Sequence, residues 1–440
     1  MANTTKGNLF ALLPLFIFVL LFIGTGVISG DFSNMPLNVA IIIASAFALA
    51  MNRKEKLSNK IDIFAKGAGH PNIILMAVVF VMAGAFAQTA RDMGAVDATV
   101  NLGLSVIPSN LLMVGLFVVG CFISVSMGTS MGTVAALAPI GIGIAEQTGI
   151  PIALAMGTVI GGAMFGDNLS MISDTTIAAV RTQKTKMSDK FKTNFFIVLP
   201  GAIVTAILLW VVTAGAQIDT IGDYSFDIVK VLPYIGVLVA ALAGVNVLVV
   251  LTGGILFAGI IGLADGSYTL SGFVQAVSQG IINMEDIAIV ALLIGGMIGI
   301  IQHNGGIQWL LNFVTSRIKT KKGAELGIAG LVSATDIATA NNTISIIVTG
   351  PLAKNISDEY AIDPRKSASI LDIFAGGWQG IVPYGGQMLA AAGLAAISPI
   401  SILTYSFYPI AIILCGIVAI LIGFPKFKEN KAANGAKKTA

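Results

Sequence analysis

Charge is scarce in this chain. Only 11% of its 440 residues are Asp, Glu, Lys or Arg, against about 25% in ordinary soluble domains. Hydrophobic residues make up 56%. Such a chain cannot cover a water-facing surface, which excludes a soluble enzyme, a nucleic-acid binder and a disordered scaffold. Cysteine is nearly absent. Cys121 and Cys415 both lie inside apolar runs, so buried free thiols are expected rather than a disulfide framework. Histidine is as scarce. His70 and His303 each end an apolar run with no Cys, His or carboxylate at metal-ligand spacing, and neither is expected to hold a metal.

Long apolar runs are what the sequence does have. A bilayer core about 30 Å thick is crossed by about 20 apolar residues of helix. Runs near 8–29, 37–51, 71–89, 194–216, 230–244, 246–264, 286–303 and 403–424 are of this kind. The first follows Lys6, but its apolar core is too long for a cleaved leader, and it is read as a span. Regions 109–181 and 323–396 are apolar as well, yet cut by clusters of Gly, Ser, Thr, Asn and Asp.

Lys and Arg set the sidedness. Of the 25 basic residues, 23 fall before the first span, in 52–70, 181–193, 317–322 and 354–366, or in the tail. Arg91 and Lys230 are the exceptions. One topology puts all 23 inside, with both termini cytoplasmic. In it, 109–146 and 324–353 are re-entrant hairpins, while 151–181 and 367–396 cross once each as interrupted helices. The expected architecture is therefore an all-α polytopic membrane protein with about ten crossings, two re-entrant helical hairpins and two interrupted helices.

The order of elements in 1–216 recurs in 230–424, followed by a basic cytoplasmic tail over 425–440. The amphipathic connection 53–70 is basic, whereas its counterpart 265–285 has no Lys or Arg. Opposite sidedness requires that difference, so an inverted-topology repeat is expected. The run Thr129 to Val134 aligns with Thr339 to Ile344 at an offset of 210, and Met171 with Pro383 at 212. Inverted repeats with interrupted helices are the build of secondary transporters, with the site where the breaks meet. A channel, more often a short subunit in a symmetric assembly, is the rival class.

Asp167, Asp174, Asp336 and Asp372 lie inside the apolar regions. Ionised, each costs about 2.5–3.5 kcal/mol there on insertion scales, or about 10–14 kcal/mol together. No Lys or Arg falls inside the membrane on this reading, so bound cations, protons or backbone amides are the expected partners. The segment Gly166 to Thr176 is the densest cluster. Asp167, Asn168, Ser170, Ser173, Asp174 and Thr175 supply the hard oxygen ligands that sodium prefers, and the following helix start adds a positive end. Asp174 as a simple N-cap is the plainer alternative. With Asp336 and Asp372, these six make the expected cation-binding set. No other metal and no cofactor is expected; sodium, protons or both serve as coupling ions.

The second interrupted region, Gly376 to Gly386, is neutral and offers Gln379 and Tyr384. The hairpin tips add Thr129, Ser130 and Thr133 from the first copy and Thr339, Asn341, Asn342 and Thr343 from the second. Those nine residues are the expected substrate-binding set. Gly295 and Gly299 have the small-xxx-small spacing of helix packing.

The segment Gly166 to Thr176 resembles the G-D-x-x-S-P-x-S-D-T-T signature of the NhaC-type sodium/proton antiporter family, with Met171 where the proline usually stands. The tip Asn341-Asn342-Thr343 is similar to the Ser-Asn-Thr motif of divalent-anion sodium symporters in the wider ion-transporter superfamily. The resemblance implies sodium/proton exchange, or carriage of malate, lactate or amino acids as in other members. It also implies a homodimer whose transport domain moves against a scaffold as an elevator. The resulting expectation is no enzyme, but a secondary active transporter of a bacterial cytoplasmic (inner) membrane. It would use a sodium or proton gradient to move a small amino acid or organic acid. A pure sodium/proton antiporter is the alternative.

Overall fold

The computed structural model describes residues 7–25, 28, 35–106, 108, 111–171, 173–214 and 225–427. Lys6 and the tail beyond residue 427 lie outside them. Twenty α-helices and no β-strand occur among the described residues. The first apolar run is a 3-10 turn, Leu9–Leu12, then α1, Leu13–Val19, continued by a π turn, Leu20–Gly24. Next come α2 (Leu37–Ala50), α3 (Leu57–Ala68), α4 (Pro71–Asp92) and α5 (Ala95–Val106). The first hairpin is α6 (Leu112–Met127) and α7 (Ser130–Thr148), and the first interrupted helix is α8 (Ile152–Leu169) with α9 (Asp174–Gln183). Helix α10 (Met187–Thr213) closes this half.

The second half runs α11 (Ile228–Leu242), α12 (Val247–Ala264), α13 (Leu270–His303) and α14 (Gly306–Thr315). Its hairpin is α15 (Lys321–Thr339) and α16 (Asn342–Glu359), and its interrupted helix is α17 (Pro364–Gln379) with α18 (Gly386–Ala395). A short α19 (Pro399–Leu403) and α20 (Phe407–Ile422) complete the chain. Among the described residues, five stretches are long and apolar enough to cross a membrane: Pro71–Asp92, Ile152–Gln183, Met187–Thr213, Val247–Ala264 and Leu270–His303. Large side chains on their outer faces stay exposed, as Ile203, Ile207, Trp210 and Val211 do on α10. Lipid solvates such a surface where water would not.

Both hairpins turn on a left-handed residue followed by a side-chain cap. In the first, Gly128 has φ 67° and Thr129 accepts from the amide of Gly132 at 3.3 Å. In the second, Ala340 has φ 49° and Asn341 accepts from the amide of Ile344 at 2.9 Å. The tips therefore correspond at an offset of 212, two residues beyond the sequence alignment of Thr129 with Thr339. Helix starts follow the same spacing, as Ile152 with Pro364 and Asp174 with Gly386 show.

The amphipathic connection of the second copy is not a separate element. It merges with the following run into the 34-residue α13. In the first copy Gly69, His70 and Pro71 end α3 and start α4 afresh, with His70 capping the amide of Asn72. The matching residues of α13 are Ile281, Ile282 and Asn283, which contain no helix breaker. Helices α4 and α13 then cross at backbone contact. A Cβ on Gly84 would lie 2.2 Å from the Gly280 carbonyl oxygen, and one on Gly280 would lie 2.3 Å from that of Gly84. Gly67 of α3 meets Gly295 and Gly299 in the same way, which gives that glycine pair its packing role. Cys121 and Cys415 are free thiols.

Candidate functional site

The hairpin tips and the two helix breaks meet around a cavity of about 110 Å3. Asp167 reaches it from the end of α8, and Asp174 and Thr175 from the start of α9. Thr129 and Ser130 come from one tip, Asn341, Asn342 and Thr343 from the other, and Gln379 from the end of α17. Two lining residues with polar side chains are absent from the sequence-based set: Asn72 on α4 and Gln387 on α18. An apolar wall of Leu75, Met76, Val79, Met131 and Val247 completes it.

The first break is built on hydroxyls. Ser173, not Asp174, caps α9 by accepting from the amide of Thr176 at 3.2 Å. Asp174 is thereby left exposed, and capping does not explain its presence. Thr175 donates to Asp167 Oδ2 at 3.2 Å, and Ser173 Oγ lies 2.8 Å from Thr175 Oγ1. Ser170 donates outward to the carbonyl of Val125 at 2.9 Å, holding the break against α6.

Behind the break the expectation of unpaired carboxylates fails. Lys190, counted by sequence with the cytoplasmic connection, lies inside α10 at 1% exposure. Its ammonium stands 2.7 Å from each of Asp372 Oδ2, the carbonyl oxygen of Asn168 and Thr176 Oγ1. Three donors meet three acceptors. Asn194, one turn on, donates to the same Asp372 oxygen at 2.7 Å and to the Asn168 carbonyl at 3.0 Å. Asn168 spends its own amide on Asp372 at 3.2 Å and accepts from the Tyr408 hydroxyl at 3.3 Å. A positive charge against the last carbonyls of α8 is the favoured sign at a helix end. The knot is tight: a Cβ on Gly376 would lie 2.7 Å from Asn168 Nδ2.

Four further sequence candidates stand off the cavity. Asp336 is fully buried on α15, and neither carboxylate oxygen has a hydrogen-bond partner among the described residues. Thr133 and Thr339 bond the preceding turn, to the carbonyls of Thr129 and Thr335. Tyr384 donates to the carbonyl of Ile337 at 2.7 Å and packs edge-on against Phe18. Gln379 works differently. Its amide donates to Gln387 at 2.7 Å and to the Ala340 carbonyl at 3.3 Å, while Gln387 donates to Ser130 at 2.9 Å. One chain of amides thus joins the two hairpin tips through both halves of the second interrupted helix.

Lys190 and Asn194 had a faint signal, two polar residues four apart at the base of a run that turns apolar at Phe195. Gln387 had none, standing alone in a neutral Gly- and Ala-rich stretch.

Interrupted helices opening on a polar cavity within an apolar, all-helical chain are the build of a membrane transporter. Comparison with known proteins agrees. The chain matches the Na+/H+ antiporter family over residues 4–214 and 224–427. It belongs to that family. It is 25% identical over 430 residues to a Na(+)/H(+) antiporter NhaC of Bacillus subtilis, covering 89% of this chain and 92% of that one. It is 23% identical over 405 residues to the malate-2H(+)/Na(+)-lactate antiporter of the same organism, with 85% and 86% covered. Similarity at 24% over 348 residues extends to the arginine/ornithine antiporter ArcD of Halobacterium salinarum, with 70% and 69% covered.

Proposed function

We propose that the protein is a secondary active transporter. It couples a sodium gradient, a proton gradient or both to the movement of a small amino acid or organic acid across the cytoplasmic membrane. The observation that carries this reading is the mixed lining of the cavity. Asp167, Asp174 and Thr175 line it together with the neutral Asn341, Asn342, Thr343 and Gln379. Bare cation exchange needs carboxylates and hydroxyls, not a set of side-chain amides beside them. The family contains both kinds of relative, an NhaC exchanger and carriers of malate and lactate or of arginine and ornithine.

The 212-residue spacing of these helix starts supports an internal repeat, and the placement of Lys and Arg supports its inversion, with two re-entrant hairpins, about ten crossings and both termini cytoplasmic. The family resemblance adds a homodimer and an elevator movement to the same proposal. Purified protein in sodium-loaded proteoliposomes tests the function. Uptake or counterflow of an amino acid or organic acid that depends on the sodium or proton gradient is expected. Full-rate sodium/proton exchange with no organic solute present, and no solute carried, would leave the pure antiporter in its place.

A further inference from the structure

Resting on the reading above, we infer that the organic substrate is a small, neutral, zwitterionic amino acid, held across the cavity with its ammonium on one wall and its carboxylate on another. The acceptor wall comes first. Asp167 and Asp174 bring two carboxylates, and Gln379, 3% exposed, has a carbonyl oxygen with no donor among the described residues. A buried amide oxygen left unbonded is destabilising, and an N–H donor from a bound molecule removes that cost.

The donor wall consists of helix starts. Helices α7, α9, α16 and α18 all begin at the cavity, each contributing first-turn residues to it. A helix start leaves four N–H groups without partners inside the helix. Side chains of Thr129, Ser173 and Asn341 cap one apiece, and α18 has no side-chain cap. Together with the helix dipoles, the remaining amides suit a carboxylate. The third wall is apolar, with Met76, Val79, Met131 and Val247. It leaves room for a methyl or ethyl side chain in a cavity of about 110 Å3.

Rival solutes each leave something wrong. A dicarboxylate sets two negative charges against Asp167 and Asp174, and among the described residues no Lys or Arg lines the cavity to offset them. Lys190 is near, but its three donors are taken. A hydroxy acid has no ammonium for the acceptor wall. A long cationic side chain exceeds the space and meets the apolar wall.

Isothermal titration and thermal shift of the purified wild-type protein in sodium buffer test the inference. The probes are L-alanine, L-lactate, L-malate, ethylamine and L-arginine. L-alanine should bind at least about tenfold more tightly than each of the others, since a site built around hydrogen-bonding groups rejects analogues that lack the matching group. Gln379→Met should weaken alanine about tenfold and leave sodium binding in place. Lactate, malate or arginine binding as tightly as alanine would overturn the zwitterion while the organic-substrate reading stands. If no organic solute binds and sodium/proton exchange runs at full rate, the underlying function fails and this inference with it. The ligand series on the wild type decides the matter even where the Gln379 variant does not fold.

Discussion

Lys190 Nζ sits 2.7 Å from Asp372 Oδ2, with both side chains at most 1% exposed. This ion pair joins α10 to α17, and the other two donors of Lys190 tie in the break between α8 and α9. Asp372 Oδ2 is thereby shared among Lys190, Asn168 and Asn194, while Asp167 and Asp174 face the cavity. The four intramembrane carboxylates fall into three environments: one in an ion pair, two at the cavity, and Asp336 sealed in α15.

Lys190→Met should destabilise the protein strongly. Removing one partner of a buried pair leaves the other charge uncompensated, at about 3–5 kcal/mol. Asp372→Asn should also lower the melting temperature, and Lys190→Met with Asp372→Asn should cost less than the two single losses added together. A double-mutant cycle on thermal unfolding in detergent measures the coupling. Strictly additive losses would deny that the pair acts as a unit.

Asp174→Asn should abolish gradient-driven uptake and leave the folded protein in the membrane. The basis is local: Ser173 holds the cap of α9, so Asp174 is exposed at the cavity with no part in that cap. Expression and unfolding temperature should therefore match the wild type while transport is lost. Uptake with unchanged sodium dependence would remove Asp174 from the cation site.

Much of this was legible in the sequence, because apolar runs and helix breakers are written in residue types. The apolar helices and the interruptions between α8 and α9 and between α17 and α18 follow from them. Tertiary partners are not written that way. Lys190 counts as a cytoplasmic lysine by position, yet α10 starts at Met187 and carries it inward to Asp372. Gln387 gains meaning only once α18 packs beside α7 and brings it to Ser130. The tips aligned two residues out of register because Thr129 and Thr339 share a letter, while the cap role belongs to Thr129 and Asn341.

Gly280→Ala should weaken the crossing of α4 and α13. The added methyl would lie 2.3 Å from the Gly84 carbonyl oxygen, so the two backbones must part. Overpacking of this kind costs about 1–3 kcal/mol. A fall in melting temperature is expected, with little change in substrate affinity, since neither glycine lines the cavity. Wild-type stability would show that the crossing is looser than described.

Sidedness is tested at the end of α16, beside its turn into α17. Positive-inside bias places 354–366, with Lys354, Arg365 and Lys366, in the cytoplasm. Ser357 is a poor probe there, because it is buried and donates to Ser367 at 2.9 Å. Glu359 is exposed. A cysteine replacing it, Glu359→Cys, should resist membrane-impermeant thiol reagents added to whole cells and react in inverted vesicles. Ready labelling from outside would overturn the orientation of the second hairpin, and of the first through the repeat.

Asn342→Ala separates substrate binding from cation exchange. Asn342 lines the cavity at the start of α16, where its side-chain oxygen accepts from the amide of Thr343 at 3.0 Å. The substitution removes a donor from the cavity and slackens the first turn, while the cap from Asn341 remains. A hydrogen bond to a charged group is worth about 1.5–3 kcal/mol, so the apparent dissociation constant for the organic substrate should rise about tenfold or more. Asp167, Asp174 and Thr175 lie on other elements, and sodium binding should keep its wild-type affinity. Measuring both by titration on one preparation gives the contrast. Equal losses for substrate and sodium would place Asn342 in a shared site, and no loss for either would remove the second hairpin tip from recognition.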